Sequence, residues 1–546
     1  HTQTGRYLAM KNSHDSSYKR ALARKDLAAP FEAIVVGSGA GGLTAAALLA
    51  LEGKKVLVLE QHAVIGGCLQ VFKRPGFEWD VGLHYIGEVH RTGPLRNLFD
   101  KVTRGKLKWQ KMPEVYNRIA IGDEVYDYHS GSAAFKERMK AYFPEESDAI
   151  DRYIDLINQA SRPAGQFLAA RAMPEAMSDK MFDDIAPQFM PLAEKTTQEV
   201  LQSITRNQTL IAVLCGHFGD YASLPSVASF AVHAAVIRHY LDGGSYPIGG
   251  AQVIADEMSD TIRSAGGLVL AGAKVDAFIE HNGKAVGVRM AGGEVLEAPQ
   301  IISAIGIRQT LRMLDTNEHS KQLDELAEKA RSMPSTLPAV VLNIGLNADN
   351  SEIEAGPANI WIHQSANQTQ DWQDYVADPT SRPMPLHFIS QPSAKDPTWL
   401  DRYPGRSTMD ICSFTDWNLW KGFTNTRWKQ RGAEYEDLKA RLSEEMLEQV
   451  YRFYPRAKGH VVHAELATPV SFNDFLGRTT GDFMSFAPTP DRYKQRWTRT
   501  YSPIKGLFFS GQDVAMGGVS GAMVGGMLAA SAVLGRDLLR ELKQAN

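Results

Sequence analysis

The stretch that decides the fold is residues 31–67, FEAIVVGSGAGGLTAAALLALEGKKVLVLEQHAVIGG. It opens with the short apolar run Ala33–Val36, which suits a strand that is buried on both faces. A glycine-rich turn follows at once, and the Ala- and Leu-rich segment Leu43–Leu51 predicts a helix. A second apolar strand, Lys55–Leu59, ends at the acidic residue Glu60. Strand, glycine turn, helix, strand and acid therefore follow one another within about 30 residues.

The glycine-rich turn has the pattern Gly37-x-Gly39-x-x-Gly42. In such a unit the first glycine permits the tight turn, the second lets the backbone approach a pyrophosphate, and the third lets the helix pack closely on the strand. The free N–H groups at the helix start face the phosphates, helped by the helix dipole. Glu60 stands where a carboxylate accepts hydrogen bonds from an adenosine ribose. An accidental glycine run is the alternative, but the flanking strands and the acid favour a dinucleotide site.

Length and composition limit the remaining possibilities. The 546 residues predict two or three domains, and 44% hydrophobic with 22% charged residues is typical of a globular protein with a sizeable core. A net charge of −3 gives no reason to expect nucleic acid as a partner. The three cysteines, Cys68, Cys215 and Cys412, lie far apart, so neither a disulfide framework nor a metal site is predicted. Residues 1–30 are polar and basic without the apolar core of a signal peptide, and no run of 18 apolar residues occurs, so we expect a cytoplasmic protein.

Further motifs follow the nucleotide unit. They are Glu60-Gln61-His62, Gly66-Gly67-Cys68 and Asp80-x-Gly82-x-His84-Tyr85-Ile86-Gly87. Together they resemble the N-terminal segment of the retinol saturases, which belong with the carotenoid isomerases and the phytoene-desaturase-type flavoproteins. In the wider group, which includes amine oxidases, an arginine often follows the double glycine. Cys68 stands there in this chain, and this departure favours the saturase and isomerase branch.

The C-terminal sequence GLFFSGQDVAMGGVSGAMVGG, residues 506–526, is similar to the flavin motif of the same family. The resemblance implies that Gly511 lies close to the pyrophosphate and ribityl chain and that Asp513 accepts hydrogen bonds there. A helix beginning near Val519 would direct its N–H groups at the flavin ring and stabilise negative charge on it. One motif for the ADP half and one for the flavin half imply FAD as the cofactor. A second GxGxxG motif with its own strand and acid is absent from the sequence.

The resemblance also implies the domain division and the set of cofactor contacts. The fold class is α/β, with a discontinuous Rossmann-type FAD-binding domain and a mixed α+β substrate domain that carries a mixed sheet and helices. We expect a polar extension at 1–30, the FAD-binding domain at 31–110, 245–310 and 461–546, and the substrate domain at 111–244 and 311–460. The predicted cofactor-binding residues are Gly37, Ser38, Gly39, Ala40, Gly41, Gly42, Glu60, Gln61, Gly66, Gly67, Cys68, Val275, Ala304, Gly511, Asp513, Gly518 and Val519.

The family implies chemistry at a carbon–carbon double bond of a long apolar lipid, either a polyene or isoprenoid or an unsaturated fatty-acyl chain. Saturation, desaturation and redox-neutral isomerisation all remain open, and neither the electron donor nor the acceptor is visible. Tyr85 and His84 are the predicted proton donors because they follow the cofactor segment directly, and a phenol or imidazole suits general acid work. Tyr240 and His239 are second choices. A core role is the alternative for each of them.

Two other functions stay open. A flavin amine oxidase is the rival within enzymes, and a lipid-binding protein that holds FAD only structurally is the rival outside them. The stretch 173–190 carries Met173, Met177, Met181 and Met190. Such a flexible apolar surface is expected either to contact a membrane peripherally or to form a methionine-filled core.

Overall fold

The structure is a computed structural model that describes residues 16–28, 30–317 and 320–545. Its strands are β1 (Ala33–Val36), β2 (Val56–Glu60), β3 (Val71–Arg74), β4 (Phe77–Asp80), β5 (Trp109–Lys111), β6 (Val115–Ile121), β7 (Glu124–His129), β8 (Ser245–Pro247), β9 (Leu268–Ala271), β10 (Val275–His281), β11 (Lys284–Met290), β12 (Val295–Glu297), β13 (Gln300–Ser303), β14 (Leu314–Asp315), β15 (Ala339–Leu346), β16 (Asn359–His363), β17 (Leu386–Ser390), β18 (Ser407–Phe414), β19 (Val461–Ala467) and β20 (Leu507–Phe509).

The helices connect these strands and cover their faces. They are α1 (Ser17–Ala23), α2 (Ala40–Leu51), α3 (Pro94–Val102), α4 (Ser132–Tyr142), α5 (Ser147–Ser161), α6 (Ala164–Ala170), α7 (Glu175–Ala193), α8 (Thr197–Gln202), α9 (Gln208–Leu214), α10 (Phe230–Tyr240), α11 (Gln252–Ser264), α12 (Ile307–Arg312), α13 (Lys321–Ser332), α14 (Gln368–Ala377), α15 (Pro392–Lys395), α16 (Trp399–Arg402), α17 (Ala433–Phe453), α18 (Pro469–Leu476), α19 (Pro490–Lys494), α20 (Gly518–Leu534) and α21 (Leu538–Gln544).

A parallel sheet with the order β20-β13-β1-β2-β9 forms the nucleotide-binding unit. Its central strands are buried along their whole length, as their unbroken apolar runs predict. Strands from the N-terminal, middle and C-terminal parts of the chain share this sheet. The predicted fold class, α/β with a discontinuous Rossmann-type domain, is thereby confirmed.

The second large sheet has the order β19-β15-β18-β17-β16-β6-β7. The β16–β6 pair is parallel and its other neighbouring pairs are antiparallel, so the sheet is mixed as predicted. One face packs on helix α17 through Ile389, Ile411 and Met446, and the other faces the nucleotide-binding side through Phe388 and Trp361.

Two of the predicted domain boundaries need correction. Strand β19 pairs with β15 in the seven-stranded sheet, so residues 461–467 belong to the substrate side rather than to the FAD-binding segments. Strand β14 pairs with β10 in the smaller sheet beside the nucleotide unit, so the middle FAD-binding segment continues past residue 310. In both cases strand pairing decides the place, and sequence composition does not reveal a pairing partner that is distant along the chain.

The predicted extension 1–30 lies largely outside the described residues. Its described part forms helix α1, where Tyr18 and Ala21 are buried against the core beneath the parallel sheet. The Ser17 hydroxyl accepts a hydrogen bond from the Ala271 backbone N–H at 2.7 Å. This part of the extension is therefore packed on the nucleotide-binding unit.

Most of the methionine-rich stretch lies in helix α7, which begins at Glu175. Phe182 and Phe189 point into the core, whereas Met177 is 54% exposed and Asp183 and Asp184 are exposed on the outer side. Peripheral membrane contact by this stretch stays a prediction. In the described part of the chain no single helix is long and apolar enough to cross a membrane, although α20 and α21, bent by 112° between them, pass that test as a pair.

Candidate dinucleotide and proton-donor site

The glycine turn connects β1 to α2 in the geometry that its sequence predicts. Gly37 has φ +99°, a conformation that other residues rarely adopt. Gly39 caps the N-terminus of α2, and a Cβ atom on Gly42 would lie 2.0 Å from the Gly37 carbonyl oxygen. Only glycine fits at position 42 because the helix start lies directly on the turn.

The two ends of the chain meet at this turn. A Cβ atom on Gly41 would lie 2.5 Å from the Gly511 Cα, and a Cβ on Gly525 would lie 1.9 Å from the Gly511 carbonyl oxygen. On Gly526 a Cβ would lie 2.4 Å from the Gly41 carbonyl oxygen. Helices α2 and α20 therefore pack backbone to backbone, which explains why both consist largely of glycine, alanine and leucine.

Open space remains where these elements converge. A Cβ atom on Gly39, Gly511 or Gly518 would meet no atom within 4 Å, although Gly511 is buried. Asp513 lies beside this space, where its Oδ2 accepts from the Ile307 N–H at 2.8 Å and its buried Oδ1 has no partner. We call the space between these three glycines the cradle. The helix N–H groups at the start of α2 suit a phosphate there, and the unpaired Asp513 oxygen suits a hydroxyl group of the same ligand.

Glu60 connects the turn to the second glycine pair. Its Oε2 accepts from the Ser38 hydroxyl at 2.6 Å and from the Ser38 N–H at 3.1 Å, and its Oε1 accepts from the His62 N–H at 2.9 Å. The Gly66 N–H donates to the Ser38 hydroxyl at 3.0 Å. The predicted ribose acceptor is thus held rigidly at the end of β2, and its Oε1 retains capacity for another hydrogen bond.

The other predicted cofactor residues surround the same space to different degrees. A Cβ on Gly67 would lie 2.9 Å from the Gly39 Cα, and the Ala304 N–H donates to the Val36 carbonyl beside the turn. Gln61 is exposed. The remaining four occupy the start of α2, the segment after Gly67, the start of β10 and the start of α20: Ala40, Cys68, Val275 and Val519. Their contacts with a cofactor stay predictions.

Arg478 is a site residue that the sequence analysis missed. A Cβ atom on Gly306 would lie 2.9 Å from Arg478 Nη1 and 3.3 Å from Asp513 Oδ2, so the guanidinium lies beside the cradle. Its Nε is buried without a hydrogen-bond partner. Burial raises the pKa of the Cys68 thiol, and the positive charge of Arg478 opposes that rise. The only signal in the sequence is Gly477-Arg478-Thr479-Thr480-Gly481, which is too short to assign to a ligand.

Tyr85, one of the two predicted proton donors, is buried and fully hydrogen-bonded. Its hydroxyl donates to Asp220 Oδ2 at 2.6 Å and accepts from Asn117 Nδ2 at 3.2 Å. Its ring stacks on Tyr240 with 4.1 Å between centroids. Burial, followed by the negative charge of Asp220, raises the pKa of Tyr85 well above its usual range.

His84, the other predicted donor, follows β4 and lies beside β17 and β18 of the seven-stranded sheet. Its Nδ1 is 3.6 Å from Asp410 Oδ2, and 14% of its side chain is exposed. Burial alone lowers its pKa, but contacts with Asp410 and Cys412 outweigh burial and raise the pKa to about 10. This shift favours the imidazolium, the protonated form that can donate a proton.

A small cavity lies between Asp220 and the segment that precedes α20. Its lining combines apolar side chains with the polar side chains of Asp220, Thr336 and Arg492, and Gly517 also contributes. The apolar side chains are Val232, Val236, Met484, Phe486 and Met516. The cavity therefore joins the tyrosine–aspartate pair to the N-terminus of the C-terminal glycine-rich helix.

Comparison with known proteins supports the class that this geometry defines. A family model described as an NAD(P)-binding Rossmann-like domain matches residues 35–102. A solved structure of putrescine oxidase bound to putrescine has a TM-score of 0.61 and 15% identity, and covers 93% of this chain and 100% of that chain. At that identity the likeness concerns the fold. The fold and the cradle define an oxidoreductase with a site for a flavin-type dinucleotide cofactor.

The family follows from the sequence relatives. The chain is 32% identical to the all-trans-retinol 13,14-reductase of Danio rerio over 525 residues, which cover 93% of this chain and 86% of that protein. It is 23% identical to the chloroplastic prolycopene isomerase of Daucus carota over 543 residues, 94% of this chain and 83% of that protein. The chain belongs to the all-trans-retinol 13,14-reductase family, and the resemblance to retinol saturases is confirmed.

Proposed function

We propose that this chain uses FAD to reduce a carbon–carbon double bond in a polyene lipid. The observation that carries the proposal is the cradle, where Gly39 and Gly511, from opposite ends of the chain, enclose open space beside Asp513. The family relatives support the substrate class, since one is named as a reductase of all-trans-retinol and another as a prolycopene isomerase.

The residues around the cradle fit the two halves of FAD. Gly39 and Ala40 at the start of α2 would hold the pyrophosphate, with Glu60 near the adenosine ribose. Asp513 would accept hydrogen bonds from the ribityl hydroxyls, which would give its unpaired Oδ1 a partner. Helix α20 begins at Gly518 and runs for 17 residues, so its N-terminus would stabilise negative charge on the reduced ring.

When bound, reduced FAD supplies a hydride to one carbon of the double bond. The chain must then supply a proton to the other carbon, and His84 is suited to this because it is a partly exposed cation. Tyr85 directs its hydroxyl hydrogen at Asp220, so it supports the site rather than delivering that proton.

A redox-neutral polyene isomerase is the second candidate, favoured by the likeness to the prolycopene isomerase. The two activities differ in their products, because saturation adds two hydrogens and isomerisation adds none. An amine oxidase shares the fold, but the similarity to putrescine oxidase extends to 15% identity only. A protein that merely holds FAD and lipid would leave both flavin and lipid unchanged.

The test is anaerobic single turnover. Holoprotein is photoreduced and mixed with all-trans-retinol or with a poly-cis carotene, while flavin absorbance and product mass are followed. We expect flavin reoxidation together with a product two mass units heavier, by the two hydrogens added. A product of unchanged mass would replace the proposal by the isomerase, and oxidation of an amine with peroxide formation would replace it by the amine oxidase. Unchanged flavin absorbance and unchanged lipid would replace the proposal by a protein that only binds FAD and lipid.

The cradle itself is tested with Gly39→Val and a matched control. Gly39 has φ −67°, so valine is compatible with the backbone and its side chain would fill the open space. Gly93 also caps a helix N-terminus, has φ 174° and faces open space elsewhere, so Gly93→Val is the control. We expect the first variant to purify without flavin and the second to remain yellow. Equal flavin content in both would contradict the assignment of the cradle.

A further inference from the structure

Four ionisable side chains, Asp80, His84, Lys395 and Asp410, meet beneath the face of the seven-stranded sheet that looks toward the nucleotide unit. One side-chain nitrogen or oxygen atom from each of Asp80, His84 and Asp410 lies within 4.8 Å of the other two, which is close enough to hold a metal ion. We call these four residues the buried charge cluster. The function proposed above uses only His84 among them.

Several polar atoms of the buried charge cluster have no hydrogen-bond partner. They are Asp80 Oδ1, His84 Nδ1 and both carboxylate oxygens of Asp410. The Asp410 side chain is 0% exposed, whereas His84 retains 14%. An unpaired buried carboxylate is costly, so Asp410 requires a cation beside it, and the imidazole at 3.6 Å is positioned to be that cation.

Lys395 holds the main chain of this region in place. Its ammonium donates to the His84 carbonyl at 2.9 Å and also to Asn359 and Ser390, at 2.5 Å each. Burial lowers the pKa of Lys395 to about 7, against the pull of Asp80 and Asp410. The lysine therefore fixes the backbone that carries His84, and it shares the compensation of the two carboxylates with the imidazole.

The other polar groups packed on the buried charge cluster are few. The Tyr246 hydroxyl donates to Asp80 Oδ2 at 2.8 Å, Cys412 contacts His84 from β18, and Asp220 acts on Lys395 by its charge. Burial, then the charge of Asp410, raises the pKa of Asp80 to about 7. Asp410 is thus the group that faces His84 Nδ1 without a competing hydrogen-bond donor.

We propose that Asp410 is a positioning residue that keeps His84 protonated, with Nδ1 turned inward and the partly exposed edge of the ring turned toward the substrate. The inference rests on the function proposed above. In the reaction the N–H bond of His84 breaks as a C–H bond forms at the alkene carbon that does not receive the hydride. The hydride comes from reduced FAD, and neutral His84 regains a proton from solvent afterwards.

The test compares Asp410→Asn with Glu445→Gln. Asparagine keeps the shape of Asp410 and removes its charge. Glu445 is the matched control, because it is a partly buried carboxylate whose Oε1 lies 3.8 Å from His387 Nε2 on the opposite face of the same sheet. The pH dependence of flavin reoxidation by all-trans-retinol is measured for both variants and for the unaltered protein. Flavin content and near-ultraviolet circular dichroism show whether each variant is folded.

We expect the alkaline limb of the rate profile to move down by about 1–3 pH units in Asp410→Asn and to stay in place in Glu445→Gln, because an opposite charge at this distance shifts a pKa by that amount. Asp410→Glu should restore the limb in part. If the alkaline limb of the rate profile stayed at the same pH in Asp410→Asn, the proposal would be overturned.

A second measurement separates this inference from the proposed function. The His84 imidazole is titrated by 15N nuclear magnetic resonance in the unaltered protein and in Asp410→Asn, with His84→Gln used to assign its signal. A fall in the His84 pKa in Asp410→Asn supports the inference even if no lipid reacts, and an unchanged titration overturns it. One equivalent of metal in the purified protein that is lost in Asp410→Asn would also overturn it, in favour of a metal centre.

Discussion

The two faces of the seven-stranded sheet each bury a histidine beside a carboxylate. On the face toward the nucleotide unit, His84 Nδ1 lies 3.6 Å from Asp410. On the face covered by helix α17, His387 Nε2 lies 3.8 Å from Glu445. The distances nearly agree, yet the pKa of His84 is raised to about 10 and that of His387 is lowered to about 4.

The difference comes from the other partners of each pair. Glu445 accepts from the Met384 N–H at 2.7 Å, and His387 Nδ1 lies 2.5 Å from the Ser413 hydroxyl, so a neutral imidazole is satisfied there. Burial then lowers the pKa of His387. Asp410 has no hydrogen-bond donor, and its charge is compensated by His84 together with Lys395. A carboxylate therefore keeps a neighbouring histidine protonated only where no other hydrogen-bond donor already compensates the carboxylate charge.

The largest effect is expected when the two histidines are exchanged for glutamine. His84→Gln should slow flavin reoxidation by polyene by about 10²–10⁴-fold, the usual worth of a positioned general acid. His387→Gln should leave that rate unchanged, because its ring lies on the α17 face. Stopped-flow absorbance measures both rates. Equal rates in the two variants would remove the distinction between the two faces.

A smaller effect is expected from a pair of tyrosines. Tyr85→Phe leaves the Asp220 carboxylate short of a donor, and we expect it to lower the free energy of unfolding by about 1.5–3 kcal/mol. Tyr375→Phe, on the α17 face, removes a 3.3 Å contact with the neutral Thr415 hydroxyl and should cost about 0.5–1.5 kcal/mol. Urea denaturation of the holoproteins compares them. If Tyr375→Phe lost more free energy of unfolding than Tyr85→Phe, the hydrogen bond of Tyr85 to the Asp220 carboxylate would not be the stronger of the two.

The nucleotide side could be predicted from sequence because its determinants are local. Gly37, Gly39 and Gly42 lie within six residues, and the turn they form depends on their own backbone freedom. The resemblance added the distant C-terminal motif at Gly511, which local patterning alone does not connect to the turn. His84 was found for its place in a motif, whereas its charge state was not predictable.

The buried charge cluster escaped prediction because its members are far apart in sequence. Asp80 and His84 are joined to Lys395 and Asp410 only when β4 and β18 come together, and each looks ordinary in its own segment. Arg478 was missed for the same reason, since its partners Gly306 and Asp513 lie on other elements. The positions of β14 and β19 were likewise fixed by pairing partners that composition does not reveal.

The last effect concerns stability against pH, where the two faces should act in opposite directions. The pKa of His387 is about 4 in the folded protein and about 6.5 when unfolded, so the unfolded state binds the extra proton between these values. Its contribution is present above pH 6.5 and is lost as the pH falls toward 4. The contribution of His84 is present below pH 6.5 and is lost as the pH rises toward about 10.

Denaturation curves at each pH for the unaltered protein, His387→Gln and His84→Gln separate these contributions. His387→Gln should flatten the acid side by up to about 1.4 kcal/mol per pH unit, the worth of one proton. The other buried histidines with lowered pKa, His233 and His363, remain in both variants and cancel in the difference. His84→Gln should flatten the alkaline side instead. If both variants altered the same side, the two pairs would titrate alike, and the charge on His84 could not be attributed to Asp410.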